Sequence, residues 1–239
     1  MNLQRFEEVS EAADRDSFQR ALVGFANELD FPLVMAVLAI EHRTPRPNTE
    51  YLAVGNTPAA FVAASQDPEN AKRDPVHKRL MRLSKPFIYD QDLYVKEQAG
   101  DLWEMQAPFG YKTGVAVSVH MPGYKRLLLG VDRDKPLPKD ETRLTRLMAD
   151  LQLLAVHAQE AASRVLPSRK AATSGAPKLS PVQIEILKLT MENKSAWVVG
   201  AILGMKEATV AYHIKEILKK LDTSSKHHAV LKAIELGLI

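Results

Sequence analysis

Apolar positions along this chain follow two different rhythms. From residue 180 onward they recur every three or four residues in short runs broken by turn formers, whereas before residue 167 such runs alternate with stretches in which every second residue is apolar. In the tail, Ile184, Leu187 and Met191 keep helical spacing behind Ser180 and Pro181. A serine hydroxyl caps free N–H groups, proline suits the first helical position, and Gln183 stands where it can close a capping box. The pattern predicts a helix that starts at Pro181 and stops at Asn193, a residue type that tolerates the left-handed conformation past a helix end. Further helices are predicted over 196–203, ending at Gly204, over about 206–221, and over about 225–236.

The third of these helices has two unlike faces. Val210, Ile214, Ile217, Leu218 and Leu221 fall on one side; Ala208, Tyr212, Lys215 and Lys219 fall on the other, flanked by Thr209, Glu216 and Lys220. A short helix, a glycine-bearing turn and a helix with a small, polar and basic outer face make a helix-turn-helix, which lays its recognition helix in the major groove of duplex DNA. From Lys178 onward there are nine Lys, no Arg and six Asp or Glu, a net charge of 9 − 6 = +3, which favours phosphate. The alternative is a solvated helix face in a small interaction bundle.

Before residue 167 the rhythms alternate. Phe18, Leu22, Phe25 and Leu29 predict a helix over 10–29, residues 33–41 read as a buried strand, and 49–54 as its partner. From Gly114, Val115, Val117, Val119 and Met121 alternate with Ala116, Ser118 and His120, the period of a strand with two faces, and Pro122-Gly123 turns the chain back into a strand over 125–131. The expected fold class is α+β, a mostly antiparallel sheet between helices, followed by an all-α four-helix module. Leu144, Leu147, Leu151, Leu154, Ala158, Ala161 and Val165 form an apolar seam that can lie on its own sheet or on its twin in a homodimer.

Residues 167–177, PSRKAATSGAP, lack any hydrophobic period and read as a flexible linker. The expected organisation is therefore a sensing and dimerisation domain over 1–166, a linker over 167–178 and the helix-turn-helix over 179–239. Among 239 residues there is no cysteine, which excludes disulfides, thiolate metal sites and cysteine nucleophiles. The first ten residues lack the apolar stretch of a signal peptide, and the longest apolar run, 31–40, is too short to span a bilayer, so a cytoplasmic protein with no membrane partner is expected. No nucleophile elbow, phosphate-binding loop or HExxH occurs. His227 and His228 point about 100° apart on a helix, poor co-ligands for one metal, and His120 and His157 read as packing or surface residues. No catalytic residue, cofactor or metal is expected.

The tail resembles the DNA-binding domain of the LuxR family from end to end, through Leu179-Ser180, Glu185-Ile186-Leu187, Asn193-Lys194-Ser195, Ala201-Ile202-Leu203-Gly204, Thr209-Val210, His213-Ile214, Lys220-Leu221, Ser225-Lys226, Ala229-Val230 and Gly237-Leu238-Ile239. It departs from that family at Gln183, usually Glu, at Asn193, usually Gly, at Val198, often Glu, and at Ala211, often basic. The resemblance implies DNA contacts from Thr209, Tyr212, Lys215, Lys219, Lys194 and Lys206, with Lys215 the candidate for reading bases. Val198, between Trp197 and Val199, gives the second helix an apolar patch, for packing, for the other domain or for RNA polymerase.

More loosely, Asn56-Thr57-Pro58, Phe61, Asp74-Pro75, Pro86, Tyr89-Asp90 and Phe109-Gly110 followed by Gly114 resemble the family's autoinducer-binding domain. The resemblance implies a small apolar signal molecule, an acyl-homoserine lactone or a non-lactone analogue, contacted by Asp74, Thr57, Phe61, Ser65 and Tyr89. The family's aspartate is kept as Asp74. Its tryptophan donor to the lactone carbonyl is Phe61 here, two tyrosines are Thr57 and Ser65, another tryptophan is Tyr89, and a hydroxyl-bearing strand position is Gly130. Phe61 has no donor, so a lactone carbonyl buried against it loses a hydrogen bond, about 0.5–1.5 kcal/mol. Asp74 can meet a ligand N–H or simply cap a helix opened by Pro75 and running through Leu83. A pocket filled by the protein's own Phe61 and Tyr89, with no ligand, is the second reading.

Overall fold

The computed structural model describes residues 2–42, 48–64, 67–166 and 178–239. The expected linker lies outside them, apart from Lys178. The described residues form two compact units, one mainly of residues before 167 and one mainly of residues after 178.

The first unit opens with a helix over 3–10 that the periodicity does not predict, and the helix expected over 10–29 begins only at residue 15. Helix α1 (Leu3–Ser10) precedes α2 (Arg15–Glu28), and Asp14 is the reason for the break. Its carboxylate accepts from Ser17 N at 2.7 Å, and Ser17 Oγ accepts from Asp14 N at 3.1 Å, a capping box that starts a new helix. Five strands follow: β1 (Leu33–His42), β2 (Asn48–Gly55), β3 (Phe87–Tyr89), β4 (Thr113–Met121) and β5 (Lys125–Arg133). They line up as β2-β1-β5-β4-β3, and the pairs β1–β5, β5–β4 and β4–β3 are antiparallel.

Because side chains alternate along a strand, the sheet has two apolar faces. Val34, Ala36 and Leu38 of β1, Val115 and Val117 of β4, and Leu127, Leu129 and Val131 of β5 face α1, α2 and the long helix α8 (Glu141–Val165). Ala39, Phe87, Tyr89, Ala116 and Leu128 face the other way, against short helices between β2 and β4. These are α3 (Ala59–Ala64), α4 (Pro68–Arg73), α5 (Pro75–Leu80), α6 (Gln91–Lys96) and α7 (Gly100–Gln106). The expected α+β layering, a sheet between helices, is what forms. The strand read as 125–131 runs on to Arg133, whose guanidinium stacks on Phe31 at 5.1 Å, pairs with Asp30 at 3.0 Å and donates to the Lys135 and Pro136 carbonyls.

The apolar seam of α8 belongs to this unit's own core. Leu147, Leu151, Leu154, Ala158 and Ala161 are buried there, with Leu144 and Val165 packed at its edges. The same stripe cannot also serve a twin; the apolar side chains that α8 leaves outward are Leu153 and Val156, 40% and 42% exposed.

The second unit consists of α9 (Pro181–Met191), α10 (Ala196–Leu203), α11 (Glu207–Lys220) and α12 (Lys226–Glu235). Most boundaries have a local cause, although Lys206 ahead of α11 makes no side-chain cap. Ser180 and Gln183 form the capping box, Ser195 and Ser225 cap α10 and α12, and Gly204 closes α10 at φ +66°. Asn193 sits at φ +60°, the left-handed conformation expected of it past α9. Ile186, Leu187, Val199, Val210, Ile217, Leu221, Ala229, Val230 and Ala233 make the core.

Candidate functional sites

On the face of the sheet that meets α3–α7, Tyr89, Gly114, Asp132 and Leu33 occupy one row across β3, β4, β5 and β1. Gly114 has no side chain to stand between its neighbours. A methyl there would lie 2.4 Å from the Tyr89 ring and hydroxyl. Tyr89 therefore lies flat across β4, and its hydroxyl donates to Asp132 Oδ1 on β5 at 2.5 Å. Both residues are buried, Asp132 with 4% exposure. Burial pushes the Asp132 carboxyl up to about 7, against the pull of the Tyr89 hydrogen bond, and nearby Asp74 adds to the rise. Burial likewise pushes the Tyr89 hydroxyl well above its usual range.

Asp74 lies across from this row. Its Oδ1 accepts from Val76 N at 2.8 Å, capping α5, and from the Tyr94 hydroxyl of α6 at 3.3 Å. Capping and contact with the polar cluster are thus the same carboxylate. Helix α5 ends at Leu80, short of the expected Leu83. Burial raises the Asp74 carboxyl above the ordinary carboxylate range, opposed by the N–H groups of Val76 and His77. The Tyr94 hydroxyl also meets Gln106 Oε1 at 3.5 Å, while the amide nitrogen of Gln106 is buried with no partner among the described residues.

The remaining expected ligand residues lie beside the same face. The Thr57 hydroxyl meets Met35 Sδ at 3.6 Å and the Tyr111 hydroxyl. Phe61 of α3 is half-buried against Tyr111, ring centroids 4.5 Å apart, and Phe109 at 5.5 Å. Gly130 of β5 lies next to the Tyr89 row, where a methyl would sit 3.7 Å from the Tyr89 hydroxyl and 4.0 Å from Asp132 Oδ2, ordinary contact distances. Ser65 lies outside the described residues.

Asp132, Tyr94, Gln106 and Tyr111 were not singled out from sequence. A signal for Asp132 existed: with β5 extended by two residues, a period of two puts Leu128, Gly130 and Asp132 on one face. For Tyr94 and Gln106 there was none, since the six- and seven-residue helices that carry them have too little periodicity to read.

In the second unit, α11 turns the expected faces inward and outward. Val210 and Ile217 are buried and Ile214 and Leu218 half-buried, while Ala208, Thr209, Ala211, Tyr212, Lys215 and Lys219 are exposed, Tyr212 by 62%. Lys206 precedes the helix and Lys194 lies in the turn before α10, both exposed. Lys220 behaves differently. Its ammonium donates to Gln183 Oε1 at 2.9 Å and to the Lys178 carbonyl at 3.0 Å, tying α11 to the start of α9. On α10, Trp197 is 66% exposed, Ile202 is exposed and Val198 half-buried. Among the described residues no cluster of His, Asp and Glu has metal-binding geometry, and no helix is long and apolar enough to cross a membrane.

A sheet whose buried polar row is walled by short helices, followed by a four-helix unit with a basic outer helix, has known relatives. Residues 14–162 match the autoinducer binding domain, and residues 177–233 match the luxR family of bacterial regulatory proteins. The chain belongs to the LuxR family. The quorum-sensing regulator RhlR of Pseudomonas aeruginosa is 29% identical over 206 residues, 84% of this chain and 81% of RhlR. The regulatory protein SdiA of Escherichia coli is 26% identical over 206 residues, 84% and 82% of the two chains. The transcriptional activator SolR of Ralstonia nicotianae is 36% identical over 146 residues, 61% of each. Among solved structures, SdiA in complex with octanoyl-rac-glycerol aligns with a TM-score of 0.78 at 21% identity, covering 99% of this chain and 94% of SdiA. A second crystal structure of Escherichia coli SdiA gives 0.75 at 25% identity, with 99% and 95% covered. The chain is a LuxR-type DNA-binding transcriptional regulator with an autoinducer-binding domain, and these relatives are regulators rather than enzymes.

Proposed function

We propose that this regulator is a cytoplasmic homodimer whose residues 1–166 bind a small, mostly apolar signal molecule and whose residues 179–239, beyond a linker over 167–178, read an inverted-repeat operator. The observation that carries the ligand reading is the buried polar row itself. A buried carboxylate, Asp132, and a half-buried one, Asp74, lie between sheet and helices where an apolar core costs least without them, and such an acid is retained at a cost unless something with a donor meets it. Asp74 receives a ligand N–H or O–H, with Thr57, Phe61, Ser65 and Tyr89 around the head group. SdiA, which shares the fold, takes octanoyl-rac-glycerol, so an acyl chain on a non-lactone head is as reasonable a candidate as an acyl-homoserine lactone.

On the DNA side, the exposed face of α11 enters the major groove. Lys215 and Tyr212 reach base edges, and Thr209, Lys219, Lys206 and Lys194 hold phosphates. A two-fold pair of such units reads two half-sites. The outward Leu153 and Val156 of α8 supply apolar surface for the second copy, and exposed Trp197 and Ile202 on α10 offer an apolar contact to RNA polymerase.

A ligand that binds the folded, dimer-competent state raises DNA affinity through population, and at a hundredfold excess over Kd it adds about 2.7 kcal/mol of stability. Thermal unfolding across acyl-homoserine lactones and other acyl compounds, with operator binding measured in parallel, tests this. A melting temperature unmoved by any of them, together with tight operator binding by the bare protein, refutes ligand control.

That outcome would favour the second reading, a ligand-independent regulator, which one observation supports. Phe61 is already stacked on Tyr111 and Phe109, and both acids already accept tyrosine hydroxyls. Mass spectrometry of protein expressed without added lactone separates a self-filled pocket from one carrying a host molecule.

A further inference from the structure

The polar groups around the buried row are unbalanced. Donors are used up internally: the Tyr89 hydroxyl is committed to Asp132 and the Tyr94 hydroxyl lies between Asp74 and Gln106. Acceptors are in surplus. Among the described residues no donor reaches Asp132 Oδ2, although the side chain is buried. Of the surrounding side chains, Met35, Phe61, Phe87 and Phe109 carry no N–H or O–H, and the Thr57 and Tyr111 hydroxyls meet each other and Met35 Sδ. Among the described residues, the Gln106 amide nitrogen beside this row is a buried donor left without a partner.

On the sheet side, the position next to Asp132 has room for a methyl group. Gly114 is required by crowding, because any side chain would strike Tyr89. Gly130 is not: a methyl would meet nothing closer than 3.7 Å. The missing side chain at Gly130 therefore leaves room beside Oδ2. Asp132 is held toward this face by the Tyr89 hydroxyl, while Arg133 points to the opposite side of β5, held by Phe31, Asp30 and the Lys135 and Pro136 carbonyls.

Resting on the ligand-binding reading above, we propose that Asp132 is a second head-group carboxylate, and that with Asp74 it selects an amphiphile bearing at least two hydrogen-bond donors, hydroxyl or amine, over an acyl-homoserine lactone. A lactone head brings one N–H and two carbonyls, so it gives a further donor to one acid and leaves the second oxygen of the other without one. A vicinal diol or amino alcohol on an acyl or alkyl chain satisfies both, and an ester or amide carbonyl in its stem can accept from Gln106. A site built to hydrogen-bond a donor rejects the analogue lacking it, because its own buried group is then left unpaired.

The test uses the full chain and three probes of similar chain length, 1-octanoylglycerol, 2-amino-1-decanol and N-octanoyl-homoserine lactone, with Kd from calorimetry and melting temperature alongside. Wild type should bind the diol or the amino alcohol at least about tenfold more tightly than the lactone, the value of one charge-assisted hydrogen bond. Preference for the amino alcohol identifies a cationic head, and preference for the diol a neutral one; either supports the proposal. Asp132→Asn, which turns half of the acceptor into a donor, should erase or reverse the ratio. Should that variant fail to fold, Gly130→Ser serves instead, placing a hydroxyl beside Oδ2 and lowering diol affinity about tenfold while sparing the lactone. Equal binding of lactone and diol by wild type, or an unchanged ratio in Asp132→Asn and Gly130→Ser, overturns this inference and leaves ligand response standing. A chain that binds none of the three overturns both.

Discussion

Tyr89 and Asp132 belong to strands that are not neighbours, yet the hydroxyl of one donates to the carboxyl of the other across the bare backbone of Gly114. Strands lie about 4.8 Å apart, so the pair spans two such steps, and only an intervening glycine lets a tyrosine ring lie flat enough to cross. Gly114→Ala should therefore destabilise the first unit by about 2–4 kcal/mol, combining overpacking with a buried carboxyl deprived of its donor. Its Cβ would also press the Val131 carbonyl at 2.6 Å, so the backbone cannot yield easily. Gly130→Ala, one row away with ordinary contact distances, should cost under about 1 kcal/mol. Urea unfolding followed by Trp103 fluorescence in a Trp197→Phe background measures both; equal costs would show that the crossing does not depend on Gly114.

The same pair sets a pH dependence. Asp132 titrates near 7 in the folded chain, against an ordinary 3.8, so between those values the folded state holds a proton that the unfolded state has released. Stability must fall as pH rises through that window and level off above it. Asp74, also raised by burial, acts in the same direction, whereas His77, pushed down by burial, acts in the opposite one below its ordinary value. Those two are common to wild type and Asp132→Asn. The difference in melting temperature between the two proteins should therefore grow in favour of the variant from pH 5 to pH 8. A constant difference would place the Asp132 carboxyl in the usual carboxylate range.

How far the fold could be read in advance followed the range of the forces involved. The four C-terminal helices were legible because each boundary is decided within a few residues, by Ser180, Ser195, Gly204 and Ser225. The β4–β5 hairpin was legible from strict alternation. The short pieces between β2 and β4 were not, because three residues of β3 or six of α6 are held by contacts with distant strands and not by their own pattern. The seam of α8 shows a different limit: one apolar stripe satisfies a sheet or a twin equally well, and only packing distinguishes them. In the candidate site, Asp74 and Phe61 are legible only through family position, whereas Asp132 lies beyond the strand as read to Val131, two residues short of its end.

Asn193 invites a simpler substitution. It holds φ +60° past the end of α9, a conformation that costs an L-residue energy and glycine nothing. Asn193→Gly should stabilise the second unit by about 0.5–1 kcal/mol, less than a bulkier residue would gain, because asparagine tolerates this conformation better than most. Thermal unfolding followed by Trp197 fluorescence in a Trp103→Phe background would register it, and a loss of stability would mean that the asparagine side chain has a bond that matters more than the backbone.

The lysines at the end of α11 should separate by function although two are adjacent in sequence. Lys220 is committed to Gln183 Oε1 and the Lys178 carbonyl, so its charge serves the joint between α11 and α9. Lys215 and Lys219 are exposed on the outer face, free to reach DNA. A lysine that neutralises a phosphate releases counterions on binding, and its removal lowers the slope of log affinity against log salt by about one. A lysine that only braces the fold leaves that slope alone. Lys219→Ala should thus weaken binding uniformly across sequences and flatten the slope. Lys215→Ala should weaken binding with a loss of discrimination among sequences, at about 1–3 kcal/mol if it meets a base. Lys220→Ala should cost about 0.5–1.5 kcal/mol of stability in the second unit and leave the salt slope unchanged. Duplexes recovered from a random pool, titrated by fluorescence anisotropy between about 50 and 200 mM salt, distinguish the three. An unchanged affinity in the Lys215→Ala, Lys219→Ala double variant would remove the outer face of α11 from the DNA interface, whatever the ligand does.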